Sequence, residues 1–157
     1  MQIRGAQKQD LSSILQLYAQ PGMDNGVFLD IATAEAIFAR MAHYPSYRLF
    51  VVETEDAIVG SYALLIMDNL AHLGTPSAIV EDVVVHPQWQ GQGIGKHMMA
   101  HAMDLARKAR CYKLMLSSNA KREAAHAFYE SLGFARHGYS FRMDLSRHIR
   151  NVRCWAR

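Results

Sequence analysis

The chain has 157 residues, half of them apolar and a fifth charged, with a formal net charge of +3. That is the composition of one folded domain; it excludes a disordered chain, and a charge so modest excludes an extended nucleic-acid footprint. Cys111 and Cys154 cannot build a disulfide framework, residues 1–8 lack an apolar leader core, and no apolar run approaches the roughly 20 residues needed to span a bilayer. The expectation is a reduced, cytoplasmic compartment without membrane contact.

Ile3 to Ala6 reads as a short strand, and Asp10 as the N-cap of a helix through Ile14, Leu15, Leu17 and Tyr18. Pro21-Gly22 and Asn25-Gly26 mark a loop, and Thr33 opens a second helix through Ile37, Phe38 and Met41. Three strands follow: Tyr47 to Glu53, Ile58 to Met67 after a turn at Glu55-Asp56, and Ala78 to Val85 between Pro76 and Pro87. Ile94, Met98, Ala102, Leu105 and Ala109 then form one apolar stripe of a helix entered through Gly91, Gly93 and Gly95. Lys113 to Ser118 reads as a strand, Arg122 to Leu132 as a helix stopped by Gly133, and Phe134 to Leu145 as two strands around Gly138. Residues 1–145 make a single α/β domain on this reading, with a basic tail over 146–157.

The most informative segment is Gln90-Gly91-Gln92-Gly93-Ile94-Gly95-Lys96, between a strand and a helix. Its glycines leave backbone amides unshielded by Cβ, and the helix start adds unpaired N–H groups and the positive end of its dipole. Together these make an anion site, for which phosphate is the obvious occupant. A P-loop is excluded, because only three residues separate Gly91 from Gly95 and His97 follows Lys96. The dinucleotide fingerprint is excluded too, because Lys96 stands where it needs glycine. The remaining pattern, Gln/Arg-x-x-Gly-x-Gly/Ala after a strand, is met by Gln90, Gly93 and Gly95.

That pattern resembles the pyrophosphate loop of the GNAT superfamily of acyl-CoA-dependent N-acetyltransferases. Glu81-Asp82-Val83-Val84-Val85-His86-Pro87 is similar to the superfamily's central strand leading into the loop, and Phe128-Tyr129-Glu130-Ser131-Leu132-Gly133-Phe134 to its F-Y-E-x-x-G-F segment. The resemblance implies the GNAT fold: a mixed, mostly antiparallel central sheet of six to seven strands, flanked by four helices and splayed at the central strand. It implies an enzyme that carries the acetyl group of acetyl-CoA, its co-substrate, to a primary amine by direct transfer in a ternary complex, with no metal. Glu81-Asp82-Val83-Val84-Val85 and Cys111-Tyr112-Lys113-Leu114 look most like glucosamine-6-phosphate and bacterial aminoalkylphosphonate N-acetyltransferases. Both of those act on a small amine that also carries phosphate or phosphonate.

Such a transfer needs an unprotonated amine, yet an alkylamine with a pKa near 10 is neutral in only about one molecule in a thousand at pH 7. Glu81 and Asp82 interrupt an apolar strand, where an unpaired carboxylate is expensive, and alternation would send them to opposite faces. The resemblance places Glu81 near the amine as a base, acting directly or through water; Asp82, beside it in the strand, is a second candidate for contact with the substrate. Alternatively, both acids pair structurally with arginines. Tyr129 is the matching candidate for a hydrogen bond to the leaving thiolate; the alternative is a core tyrosine beside Phe128. Free N–H groups around Val83, Val84 and Val85 are expected to bind the acetyl oxygen and pantetheine. The loop Gln90, Gly91, Gln92, Gly93, Ile94, Gly95 and Lys96 is expected to hold CoA phosphates, although the Ile94 side chain reads as core. The superfamily spacing puts Asn seven residues before the tyrosine, where this chain has Arg122; Asn119 is expected to touch pantetheine, Lys121 or Arg122 the CoA phosphates, and Phe128 the cofactor as well, with a solvated basic loop as the alternative.

His97 and His101, four apart on a helix without a third ligand, read as surface histidines. The tail arginines Arg147, Arg150, Arg153 and Arg157 read as solvated or as packing in a homodimer, with no nucleic-acid partner. Two rivals remain for the activity. One is a protein acetylase with a peptide groove between the loop Gln20 to Ile31 and the turn His137 to Tyr139; the other is an acyl-CoA sensor that does not turn over.

Overall fold

In the computed structural model, which describes residues 1–55 and 57–143, five strands form one sheet in chain order. They are β1 (Gln2–Gly5), β2 (Tyr47–Glu53), β3 (Ile58–Met67), β4 (Ser77–Val85) and β5 (Leu114–Met115). The first four pair antiparallel and β5 joins β4 in parallel, so the sheet is mixed and mostly antiparallel as expected. Four helices accompany it: α1 (Leu11–Tyr18), α2 (Ile31–Met41), α3 (Ile94–Lys108) and α4 (Glu123–Ser131). The chain divides into two units, residues 1–116 and a second beginning at Ser117, so the whole sheet and the first three helices belong to the first. No helix among the described residues is long and apolar enough to cross a membrane.

Side-chain alternation on β2 and β3 sets the layers of the first unit. Val51 joins Leu11 and Ile14 of α1 in one cluster, with Leu49 and Phe38 packed against it. On the other face, Phe50 and Tyr62 stack at 5.1 Å and meet His101 of α3. Gly60 is required there. A Cβ at that position would lie 3.1 Å from the Met98 sulfur and 3.2 Å from the Val84 carbonyl oxygen, so its absence lets α3 sit down on β3 and β4. The α3 residues Ile94, Met98, Met99, Ala102 and Ala106 are buried, a stripe that follows the sequence periodicity at its N-terminal half.

Several expectations need correction. Asp10 does not cap α1 through its side chain. It ends a short 3-10 turn, Lys8–Asp10, and accepts from the Gln7 amide at 2.7 Å. Both its oxygens also accept from the Arg4 guanidinium, at 2.7 and 2.9 Å, because a planar fork matched to a carboxylate outcompetes a single helix amide. The second helix starts at Ile31, capped by Asp30, which accepts from Thr33 N–H at 3.0 Å. The strand read over Lys113 to Ser118 is only Leu114–Met115. Residues 134–143 form no strand, and Tyr139, Phe141 and Met143 are exposed, because an alternating pattern without a partner makes no ladder. The sheet of the described residues therefore has five strands, not six to seven. His101 is not a surface residue: it is half-buried and its Nδ1 shares a short hydrogen bond with the Tyr62 hydroxyl, while His97 is exposed. The tail from residue 146, with Cys154, lies outside the described residues.

Arg4 ties the N-terminus together, binding Asp10 and, through Nε at 2.7 Å, Glu53 of β2. Asp10 is 5% exposed, and the guanidinium holds its carboxyl below the usual carboxylate range. A depressed folded pKa contributes stability that is present above the unfolded value near pH 4 and is lost as pH falls through the folded one. Arg4→Met is expected to cost about 2–3 kcal/mol at pH 7, since it strands a buried carboxylate. Acid melting curves check this: the gap between variant and wild type should close below about pH 4, and a gap independent of pH would contradict it.

Candidate functional site

β4 is paired on both edges only at its beginning. β5 matches it at Ala78↔Leu114 and Ile79↔Met115 and then stops, whereas β3 accompanies β4 as far as Val85. From Val80 onward the edge of β4 that faces away from β3 has no ladder partner among the described residues. The β3 side carries a bulge: Ala63 opposes Glu81 and Ser61 opposes Val84, so Asp82 and Val83 together face the single residue Tyr62. Asp82 absorbs the extra length with φ +52, in the left-handed region that Asp tolerates better than most residues.

The bulge overturns the alternation that would separate the two acids. Glu81 and Asp82 are both exposed, and both act on the Tyr47 phenol, whose pKa rises through burial and then their negative charge. Although much of Asp82 is exposed, partial desolvation of its carboxyl, and next the carboxylate of Asp24, raise its pKa, and Asp82 in turn adds to the upward shift that burial gives the half-buried Tyr18. Neither acid is in an ion pair among the described residues, so the arginine pairing is not what holds them. Glu81 opens onto a cleft of 670 Å³ whose other walls include Tyr44, Tyr47, Leu65, Met67 and Asp68.

Beyond Val85 the chain makes a 3-10 turn, Pro87–Trp89, and enters the glycine segment. The Gln90 side-chain amide donates to the Val85 carbonyl at 3.0 Å and that of Gln92 to the Gln88 carbonyl at 3.0 Å, so both glutamines brace the loop backbone. Gly91 and Gly93 have φ of +76 and +82; a Cβ on Gly91 would meet nothing within 4 Å, and one on Gly93 only His97 Nδ1 at 4.0 Å. The backbone therefore lies bare to an approaching ligand. Gly93 is the N-cap of α3 and no side chain caps it. The amides of Ile94, Gly95 and Lys96 precede the bond from His97 N–H to the Gly93 carbonyl, so they have no partner in the helix. Ile94 is 3% exposed, so its side chain belongs to the core and not to a ligand.

In the unit beginning at Ser117, α4 carries Tyr129, half-buried between Phe128 at 5.1 Å and Phe134 at 5.9 Å. Burial raises the phenol pKa against the pull of Arg122, which keeps the hydroxyl a proton donor. Arg122 is exposed at the head of α4. Asn119 spends its side-chain oxygen on Lys121 N–H at 3.0 Å and its carbonyl on Arg122 N–H and His126, so it shapes the turn ahead of the helix.

The sequence pattern of the Acetyltransferase (GNAT) family matches residues 11–134. This chain belongs to the acetyltransferase (GNAT) family. A glucosamine 6-phosphate N-acetyltransferase of Trypanosoma brucei brucei is 32% identical over 153 residues, covering 92% of this chain and 96% of the relative. An aminoalkylphosphonate N-acetyltransferase of Salmonella typhimurium (strain LT2) is 35% identical over 95 residues, 60% of each chain. Among solved structures, a protein of Agrobacterium tumefaciens str. C58 is similar with a TM-score of 0.84 and 34% identity, covering 92% of this chain and 99% of that one. The protein is an N-acetyltransferase of the GNAT type.

Of the residues singled out in this acetyltransferase from sequence, the first unit gathers Glu81, Asp82 and the Val83–Val85 segment on one strand, with the Gln90–Lys96 loop as its continuation. Tyr129, Phe128, Asn119 and Arg122 form their own group around α4. Sequence reasoning missed Tyr44, Tyr47 and Asp68. The signal was present in the turn Tyr44-Pro45-Ser46-Tyr47 and in Asp68-Asn69 just past β3, but only the β2–β3–β4 register brings these segments beside Glu81. No group of three metal-ligating side chains occurs among the described residues.

Proposed function

We propose that the protein transfers the acetyl group of acetyl-CoA to a primary amine of a small molecule, by direct transfer in a ternary complex within one catalytic domain. The observation that carries this reading is β4 itself: one strand offers an open backbone edge, ends in an uncapped glycine turn, and turns Glu81 into a cleft. The bare backbone at Gly91 and Gly93 fits a pyrophosphate, whose oxygens would accept from the amides of Ile94, Gly95 and Lys96. Acetyl-CoA when bound supplies the acyl group and a thiol leaving group.

The remaining work falls to side chains and backbone of this chain. Amides of the Val83–Val85 edge donate to the acetyl oxygen and the pantetheine, a backbone task that suits a strand whose Val84 side chain is buried. Glu81 accepts the proton of the amine, directly or through water, and Asp82 orients the incoming ammonium. For Tyr129 the role is a hydrogen bond to the departing sulfur; a phenol is ordinarily a weaker acid than a thiol, and burial weakens this one further, so the proton stays on the tyrosine. Phe128 packs its ring, and Arg122 and Asn119 shape the start of its helix. Amino sugar phosphates and aminoalkylphosphonates, the acceptors in the names of two relatives, open the list of amines to be assayed.

Thiol release from acetyl-CoA across a panel of amines tests the activity, and Glu81→Gln tests the base. The variant is expected to lose at least about tenfold in turnover at pH 7 and to regain part of it toward pH 9.5, as neutral amine becomes abundant. A constant ratio of variant to wild type across that range would assign Glu81 a structural role.

Tyr129→Phe keeps the ring and its packing and removes the one hydroxyl. Loss of such a donor is expected to cost roughly 30- to 1,000-fold in turnover, with acetyl-CoA affinity and the melting temperature nearly unchanged. A melting temperature that falls while turnover per folded molecule stays within about threefold of wild type would make it a core tyrosine.

A further inference from the structure

The cleft beside Glu81 has a charge balance that bears on which amine enters it, given the reading of that cleft as the acceptor site. Two carboxylates, Glu81 and Asp68, stand on its walls, and none of the described residues that line it is Lys or Arg. Neither of these two carboxylates has an ion pair among the described residues. Tyr44 and Tyr47, with ring centroids 6.3 Å apart, add two π faces to the same wall.

Carboxylates and tyrosine faces attract ammonium groups, and each repels a phosphate or phosphonate dianion. A site for a phosphorylated amine would instead be expected to present a guanidinium or ammonium to the anion, as bidentate recognition requires. We infer that the acceptor of this enzyme is an amine carrying a second positive charge and no phosphate or phosphonate, its distal cation held by Asp68 and the Tyr44–Tyr47 rings while Glu81 faces the reacting amine. This acceptor class differs from those in the names of the two relatives. At the first wall of the cleft the difference is legible in Asp68, which follows the last residue of β3 and is exposed, free to be replaced without disturbing the ladder.

The test uses matched pairs in the thiol-release assay at saturating acetyl-CoA: glucosamine against glucosamine 6-phosphate, and 1,4-diaminobutane against butylamine. Unphosphorylated glucosamine is expected to have a kcat/KM at least about tenfold above that of its phosphate. The diamine should exceed the monoamine by about fivefold, more than the roughly twofold that two equivalent amines give on statistics alone. Asp68→Asn should reduce that diamine advantage about two- to fivefold, and Asp68→Lys should raise kcat/KM for glucosamine 6-phosphate. Preference for the phosphorylated sugar, or a diamine no better than statistics allow, overturns the inference while leaving the transferase reading intact. Calorimetry on the same preparation separates the deeper failure: acetyl-CoA that binds without thiol release for any amine overturns the transferase reading, and the acceptor class with it.

Discussion

The one-residue bulge on β4 is the constraint from which the site follows. Two residues, Asp82 and Val83, have to fit opposite Tyr62, and Tyr62 cannot yield: it is fully buried, stacked on Phe50 and bonded to His101. The strain of the extra residue is therefore taken up by Asp82, in a left-handed conformation that costs a non-glycine residue about 1 kcal/mol or more. Two effects result. The alternation of the strand is reset, so that neighbouring acids act on one tyrosine instead of facing opposite layers. And the strand bends just where β5 has ended, so its last residues run on with one edge free.

A free edge at the middle of a sheet is costly unless something else takes up its amides, and the glycine turn extends the same principle. Gly93 starts α3 without a side-chain cap, leaving three helix amides unpaired beside a backbone that has no Cβ to cover it. The protein thus places an unladdered strand edge and an uncapped helix start along one continuous segment, Val83 to Lys96, and holds that segment firm by other means. Gln90 and Gln92 bind its carbonyls, and Ile94 and Met98 anchor α3 in the core. Rigid donors around a ligand site stabilise developing charge without reorganising, which is what acyl transfer asks of a protein.

Much of this was legible in the sequence because it depends on local chemistry. The limits of β2 and β3 follow from runs of β-branched and aromatic residues, the α3 stripe from its period, and the helix stop at Gly133 from its φ of +89. Glycines 91 and 93 announce their turn because only they take its conformation cheaply. What was hidden depends on residues far apart in the chain. Asp10 looks like a cap until Arg4 claims it, and Arg4 is committed by Glu53, 49 positions away. His101 looks exposed until Tyr62, 39 positions away, accepts it as a partner. The cleft escaped for the same reason, since Tyr44, Asp68 and Glu81 belong to three segments that only the ladder brings together. The pattern in Phe134 to Met143 reads as strands, yet a strand needs a partner and none is present among the described residues.

The central claim is that the donor is held by backbone amides of a single continuous segment. Backbone amide resonances followed by NMR during a titration with CoA measure this directly. The account predicts that the amides of Val83, Val84 and Val85 and of Ile94, Gly95 and Lys96 shift together, with one dissociation constant, and exchange more slowly with solvent at saturation. Saturating CoA that moves amides elsewhere and leaves both groups unshifted would contradict it.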